Sequence, residues 1–268
     1  MRRLLIIGIG AGDPEQVTVQ AIKALNRADV FFVVDKGDVK KDLMMARQEI
    51  CERYIENHSY RMVNIPEPER DRTAPAYRQA VEQWRGERAA IWARVIEDEL
   101  PDGGCGALLV WGDPALYDST LAIVEQVIAT VAAEIEYEVI PGISSVQALA
   151  ARHRVSLTQV GRPFHITTGR KLADEGIPAG CDDVVVMLDA SCSFTHVDPD
   201  TEIYWGAYLG TADEILLSGS VGQVGGQIQA ARSEARARKG WIMDTYLLRR
   251  PAPDQRGNRS SGRVTGKP

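Results

Sequence analysis

Two Gly-Asp-Pro triplets, at Gly12-Asp13-Pro14 and Gly112-Asp113-Pro114, follow apolar runs that read as buried strands. The first sits in Gly8-Ile9-Gly10-Ala11-Gly12-Asp13-Pro14, and the second in Trp111-Gly112-Asp113-Pro114-Ala115-Leu116-Tyr117-Asp118-Ser119-Thr120. A third turn, Pro141-Gly142-Ile143-Ser144-Ser145, closes another apolar run. Such turns open at the carboxyl ends of parallel strands, where open α/β sheets bind small molecules. Together they offer backbone amides and carbonyls, a carboxylate, a phenol and short hydroxyls, a set that suits adenosine with an amino-acid tail better than a phosphate chain. The first turn fails the dinucleotide fingerprint, because G-x-G-x-x-G would put glycine at position 13, where the chain has Asp13. Pro14 suits a helix first turn and removes an amide from any pyrophosphate cradle. A nucleotide-binding oxidoreductase is therefore the weaker reading. Glycine at 112 is expected to allow a close backbone approach that a side chain would fill.

The elements that must present these turns follow from apolar spacing. Residues 4–9 read as a strand, Val17, Ala21, Ala24, Leu25 and Ala28 recur at helical spacing, and 29–34 supply a second strand, forming a parallel β-α-β unit. Helices are predicted over 43–54 and 77–95, with the Pro-rich, charged stretch 66–75 as the loop between them. Strands follow at 107–111 and 137–140, with a helix at 120–132, and Ser144 is the expected N-cap of a helix reaching about 152. From Phe164 onward strands dominate, at 164–168, 184–188, 203–208, 215–217 and 241–247, interrupted by one helix near 224–238. The change of pattern places a boundary near Gly161, giving an N-terminal α/β domain over 1–160 and a mixed α/β domain over 161–250. The tail, 251–268, is rich in Gly, Ser, Arg and Pro and is expected to be disordered.

With 268 residues and a formal net charge of −6, the chain lacks the basic excess of a nucleic-acid-binding protein. No segment approaches the roughly 20 apolar residues of a membrane span, and the apolar run after Arg3 stops too soon for a signal peptide, so a cytoplasmic protein is expected. Cys51, Cys105, Cys181 and Cys192 are dispersed, without zinc-ligand spacing, and read as reduced structural thiols. The histidines at 58, 153, 165 and 196 are scattered, and His153 reads as a helix-end residue.

The combination of G-x-G-x-G-D-P with Thr18 after it, A-D-V-F-F-V-V-D at the second strand, G-D-P-x-x-Y and V-I-P-G-I-S-S resembles the tetrapyrrole methyltransferases of cobalamin and sirohaem synthesis over residues 4 to about 250. Within that family, W-G-D-P-A-L-Y-D-S-T, Y-E-V-I-P-G-I-S-S-V-Q-A-L-A-A-R-H, I-Y-W-G-A-Y-L-G-T and G-W-I-M-D-T-Y-L-L-R are similar to a deacetylating subgroup. The resemblance implies two α/β domains with S-adenosylmethionine bound in the cleft between them, no metal, and a homodimer. It implies methyl transfer to a ring carbon of precorrin-5 coupled to loss of acetate, in oxygen-dependent cobalamin synthesis. Gly112, Asp113, Leu116, Tyr117, Ser144, Ser145, Leu188 and the stretch from Ala207 to Gly210 would surround the donor. Gly10 and Asp13 in the first loop, with Lys36, would face the tetrapyrrole. Asp35 matches a position where related enzymes carry a carboxylate that handles protons; Asp13, Asp35, Asp113 and Tyr117 are the candidates for acid–base work in deacetylation. Lys36, Lys40, Lys41 and Arg47 form a basic cluster that would suit a substrate with many carboxylates and would equally suit a solvated surface helix. Two departures from the wider family stand out: Ala11 replaces a common proline, and residues 55–104 form a longer, tryptophan-bearing insertion. Another corrin intermediate, or a protein or RNA residue, is the alternative acceptor within the same class.

Overall fold

The computed structural model describes residues 1–34, 41–57, 59–68 and 77–251. Asp35, Lys36, Lys40, His58 and the tail from 252 lie outside the described residues.

Five strands, β1 (Arg2–Gly8), β2 (Val30–Val34), β3 (Arg61–Ile65), β4 (Cys105–Val110) and β5 (Ile135–Ile140), form a sheet in the order β3-β2-β4-β1-β5, with every pairing parallel. The central strands are apolar on both faces, as a sheet covered by helices on each side requires. Leu4, Ile6 and Leu108 point to one face, under α3 (Tyr77–Glu99) and α4 (Thr120–Thr130), where Trp92, Ile96 and Val124 pack. Leu5, Ile7 and Ala107 point to the other, under α1 (Val19–Leu25) and α2 (Lys41–Tyr54). Thr18 starts α1 by accepting a hydrogen bond from Ala21 N at 3.0 Å.

The second sheet contains β6 (Phe164–Thr168), β7 (Asp183–Met187), β8 (Glu202–Ala207), β9 (Ile215–Ser220) and β10 (Asp244–Arg249), in the order β6-β7-β10-β8-β9. β6 and β7 are parallel, whereas β10 is antiparallel to both β7 and β8. The carboxyl ends of β6, β7 and β8 therefore meet at one edge. α6 (Gly169–Glu175) and α7 (Val221–Lys239) accompany this sheet, with Val221 and Ile228 of α7 packing on Ile203, Trp205 and Tyr246. The opposite face packs on α5 (Ser145–His153): Val146 and Leu149 meet Val185, Leu209 and Leu247, together with Ala11 of the first glycine turn. That shared core joins the two sheets.

One strand and one α-helix among the described residues were not anticipated from sequence. β3 is an edge strand in which Ile65 alone is buried, so its five residues carry no apolar alternation. α6 is a seven-residue helix whose Thr168 cap accepts from Lys171 N at 3.4 Å, too short to leave a periodic signature. The last strand also starts later than expected, at Asp244.

Candidate active site

The three turns at the strand ends are locked into one unit. Gly112 N donates to Gly10 O at 2.8 Å and Gly10 N donates to Gly112 O at 3.3 Å, so the backbone groups of both glycines are engaged with each other. Asp113 accepts from Ala115 N at 2.8 Å and from Gly142 N at 2.9 Å, tying the second Gly-Asp-Pro turn to the third turn. Ser144 N-caps α5 in a capping box with Gln147 and is 2% exposed. Ser145 Oγ lies 3.1 Å from Thr245 Oγ1 of β10, linking α5 to the second sheet. Asp13 caps the short 3-10 turn Pro14–Gln16 by accepting from Glu15 N at 2.8 Å, and its backbone packs against Gly210.

At Gly112 the protein's own geometry gives a further reason for glycine. A Cβ there would meet Ser144 Cα at 3.7 Å, an ordinary contact; what selects glycine is φ of +71°. Crowding falls instead on Gly142, where a Cβ would lie 2.1 Å from Gly112 O. Gly10 and Gly112 thus shape the frame, with their amides directed at each other.

Three bulky residues of the candidate site hold left-handed backbone: Tyr117, in the second Gly-Asp-Pro turn, at φ 50°, Leu188 at φ 54° and Tyr208 at φ 50°. Each costs on the order of 1–2 kcal/mol relative to a right-handed conformation, and such outliers gather at functional sites. Leu188 is 64% exposed and Tyr117 is 46% exposed, large apolar surfaces at the edges that the two sheets turn toward each other. Tyr117 Oη also donates to Ile166 O of β6 at 3.3 Å, which commits the phenol to bridging the sheets. Leu116 is half-buried against the shared core, and Ala207 is buried at the end of β8.

A buried polar knot holds Leu188 in place. Asp189, next in the chain, accepts from Ser193 N at 2.6 Å, Ser191 N at 2.9 Å and Tyr246 Oη at 2.7 Å. Arg232 donates to Asp189 O at 2.5 Å and pairs with Asp244 at 3.0 Å, and Trp205 Nε1 donates to Asp244 at 2.9 Å. Burial pushes the Asp244 carboxyl above its ordinary value, against the opposing pull of the Arg232 guanidinium, and pushes the Tyr246 phenol up as well. Trp205, Asp244 and Tyr246 fall within motifs that carry the resemblance, but no role was expected of them, since the knot's members are spread over four elements.

Two cavities adjoin Trp111. One, of about 530 Å³, opens at the carboxyl ends of β2, β3 and β4 and is lined by Arg47, Trp84, Arg88, Trp92 and Asp118 among others. The second, of about 650 Å³, lies between α2 and the 208–213 turn, and Trp111 lines both. Arg47 thus faces a cavity, where burial lowers its guanidinium from the ordinary value. Arg88 is lowered for the same reason, opposed by Glu67. Trp84, Arg88 and Trp92 were within reach of sequence reading, as they recur every fourth residue of a predicted helix.

His153 ends α5 with Nε2 3.0 Å from Trp205 O, in keeping with the helix-end reading, and burial lowers its imidazole. The cysteines are free thiols, and burial pushes Cys51 up to about 11. Among the described residues no group of three or more His, Cys, Asp or Glu is placed to hold a metal ion, and no helix is long and apolar enough to cross a membrane.

Residues 3–225 match the family model of Tetrapyrrole (Corrin/Porphyrin) Methylases. The chain belongs to the tetrapyrrole methylase family. It is an enzyme of an S-adenosylmethionine-dependent methyltransferase class. Among its relatives, a precorrin-6A synthase (deacetylating) of a Sinorhizobium species is 51% identical over 253 residues, covering 94% of this chain and 97% of the relative. A Corynebacterium diphtheriae chain described as cobalamin synthesis related (CobF) superimposes with a TM-score of 0.79 at 37% identity, over 93% of this methylase and 98% of that chain. A uroporphyrin-III C-methyl transferase of Thermus thermophilus, solved with S-adenosylhomocysteine, shares the fold at a TM-score of 0.57 and 17% identity, over 92% and 91% of the two chains.

Proposed function

We propose that this methylase is a deacetylating precorrin-6A synthase, transferring a methyl group from S-adenosylmethionine to a ring carbon of precorrin-5 and releasing acetate to give precorrin-6A in aerobic cobalamin synthesis. The observation that carries the reading is the 51% identity to a relative of that name over 97% of the relative's length, a span that includes the tryptophan-bearing insertion. More distant methylases fall to 30% identity or less over shorter spans. The protein acts in the cytoplasm as a homodimer, on a small-molecule tetrapyrrole and on neither nucleic acid nor membrane. Its domains divide at about residue 160.

The donor, when bound, supplies an electrophilic methyl group on a sulfonium. The cleft residues fit such a molecule: Leu188 and Tyr117 give exposed apolar walls for its adenosine, and the frame of Gly112, Asp113, Ser144 and Ser145 holds those walls rigid. Leu116, Ala207 and Gly210 complete the donor edge. Asp13 and Gly10 keep the first turn in shape toward the macrocycle, and Lys36 pairs with its carboxylates. Asp35, which follows β2 in the chain, takes the proton duty, with Tyr117 positioned by its bond to Ile166. Holding donor and acceptor carbons in line at near-attack distance is the main catalytic demand of an in-line displacement.

Incubation with S-adenosylmethionine and precorrin-5 tests the reading by product mass: one methyl gained and one acetate released are expected. Methylation with the acetyl group retained would end the deacetylating assignment and leave the methylase class standing. Asp35→Asn is expected to keep affinity for S-adenosylhomocysteine while losing turnover.

A further inference from the structure

Leu188 follows β7 and Ala207 ends β8, yet these strands are not neighbours: β10 runs between them, antiparallel to both. The spacing of the two residues therefore depends on what ties each to the start of β10. Ala207 pairs directly with Asp244. The register between β10 and β7 stops at Met187, so the turn beyond it, residues 188–192, needs side chains to place it.

A single guanidinium spans the gap. Arg232, buried on α7, donates through Nη2 to Asp189 O at 2.5 Å and through Nε to Asp244 at 3.0 Å. Asp244 also accepts from Trp205 Nε1 of β8 at 2.9 Å, so the turn after β7, the first residue of β10 and β8 itself are joined through one cation. The Asp189 carboxylate is held separately, by Ser191 N, Ser193 N, Ser193 Oγ and Tyr246 Oη.

A buried ion pair is by itself weak evidence of a role in stability, since desolvation offsets much of the attraction. What this pair places is more informative. Leu188 is 64% exposed and left-handed, so its conformation brings neither core burial nor relaxed backbone. Cys192, at the far end of the same turn, is left-handed as well, at φ 56°. Buried hydrogen bonds thus converge beneath a strained, exposed apolar side chain, an arrangement that serves the shape of a surface.

We propose that Arg232 is a positioning residue for the methyl donor: by bonding Asp189 and Asp244 at once it sets the spacing between the Leu188 and Ala207 edges, and through that spacing the donor affinity. The proposal rests on the donor reading above. Both bonds need the planar fork of a guanidinium, whose Nε and Nη2 reach different partners, whereas a lysine ammonium keeps the charge at a single point.

Calorimetric titration of wild type, Arg232→Lys and Leu188→Asn with S-adenosylhomocysteine, each at a known concentration of folded protein, gives the test. Arg232→Lys keeps a cation beside Asp244 and is expected to bind about tenfold more weakly. In turnover with S-adenosylmethionine and precorrin-5, its KM for the donor should rise by a similar factor while KM for precorrin-5 stays unchanged. A purely structural role predicts a lower melting temperature with donor Kd and KM at wild-type values, and that result would overturn the proposal. Leu188→Asn separates the two claims. If it binds as wild type does, the donor reading of this edge fails; if it binds more weakly and Arg232→Lys does not, the positioning role alone fails. Should Arg232→Lys fail to fold, Tyr246→Phe decides, because it deletes the hydroxyl bond to Asp189 and leaves the ion pair in place. Binding about threefold weaker than wild type is expected of it, and wild-type affinity would overturn the proposal.

Discussion

The two sheets build the turns at their strand ends by opposite means. On the first sheet, glycines let backbone meet backbone: Gly8, Gly142 and the carbonyl of Gly112 pack where no side chain fits. On the second, bulky Leu188 and Tyr208 are forced into left-handed backbone. Beside Leu188 a buried polar knot opposes that strain. One half is made rigid by absence of side chains, the other by an ion pair and hydrogen bonds beneath the surface. Rigid halves of this kind suit a reaction in which alignment is the main demand.

Gly142→Ala strikes the first half hardest, because its Cβ would lie 2.1 Å from Gly112 O with backbone on every side. A loss of more than about 4 kcal/mol is expected, read by urea unfolding, with the soluble fraction falling accordingly. If the variant melts like wild type, the glycine frame is not rigid. In the second half, Arg232→Met leaves Asp244 buried without its cation. About 3–5 kcal/mol of destabilisation is expected in the same assay. A smaller loss than that would mean that strain at Leu188 is borne locally.

Much of this division was legible in the sequence on the first side and little on the second. Periodicity located β1, β2, β4 and β5, and the Ser144 cap followed from P-G-I-S-S, because parallel strands and capped helices leave local patterns. Gly112 was legible as special, although its left-handed φ cannot be read from residue type alone. The knot of Asp189, Arg232, Asp244 and Tyr246 joins residues up to 57 positions apart, and no local pattern encodes it. The edge strand β3 escaped because exposure removed its alternation. Arg47 read equally well as a solvated helix residue; only the packing of α2 over the sheet turns it toward a cavity.

The smallest expected effect lies where the halves touch. Burial lowers the His153 imidazole below its ordinary value near 6.5, so the neutral form is favoured in the folded state. Its contribution to stability is present above that ordinary value and is lost as pH falls through the lowered folded value. Wild type is therefore expected to lose on the order of 1 kcal/mol or less on acidification below about 6.5, and His153→Gln to show a shallower pH dependence of its melting temperature. Identical slopes would remove His153 from the account.

Donor binding at the Leu188 edge is tested most directly by calorimetric titration of wild type and Leu188→Asn with S-adenosylhomocysteine. Asparagine tolerates left-handed backbone and Leu188 is 64% exposed, so the variant should fold as well as wild type. Wild type is expected to bind saturably, and Leu188→Asn at least about tenfold more weakly, the cost of losing an apolar wall of about 1.4 kcal/mol. Equal affinity in the folded variant would contradict the claim that this edge holds the donor.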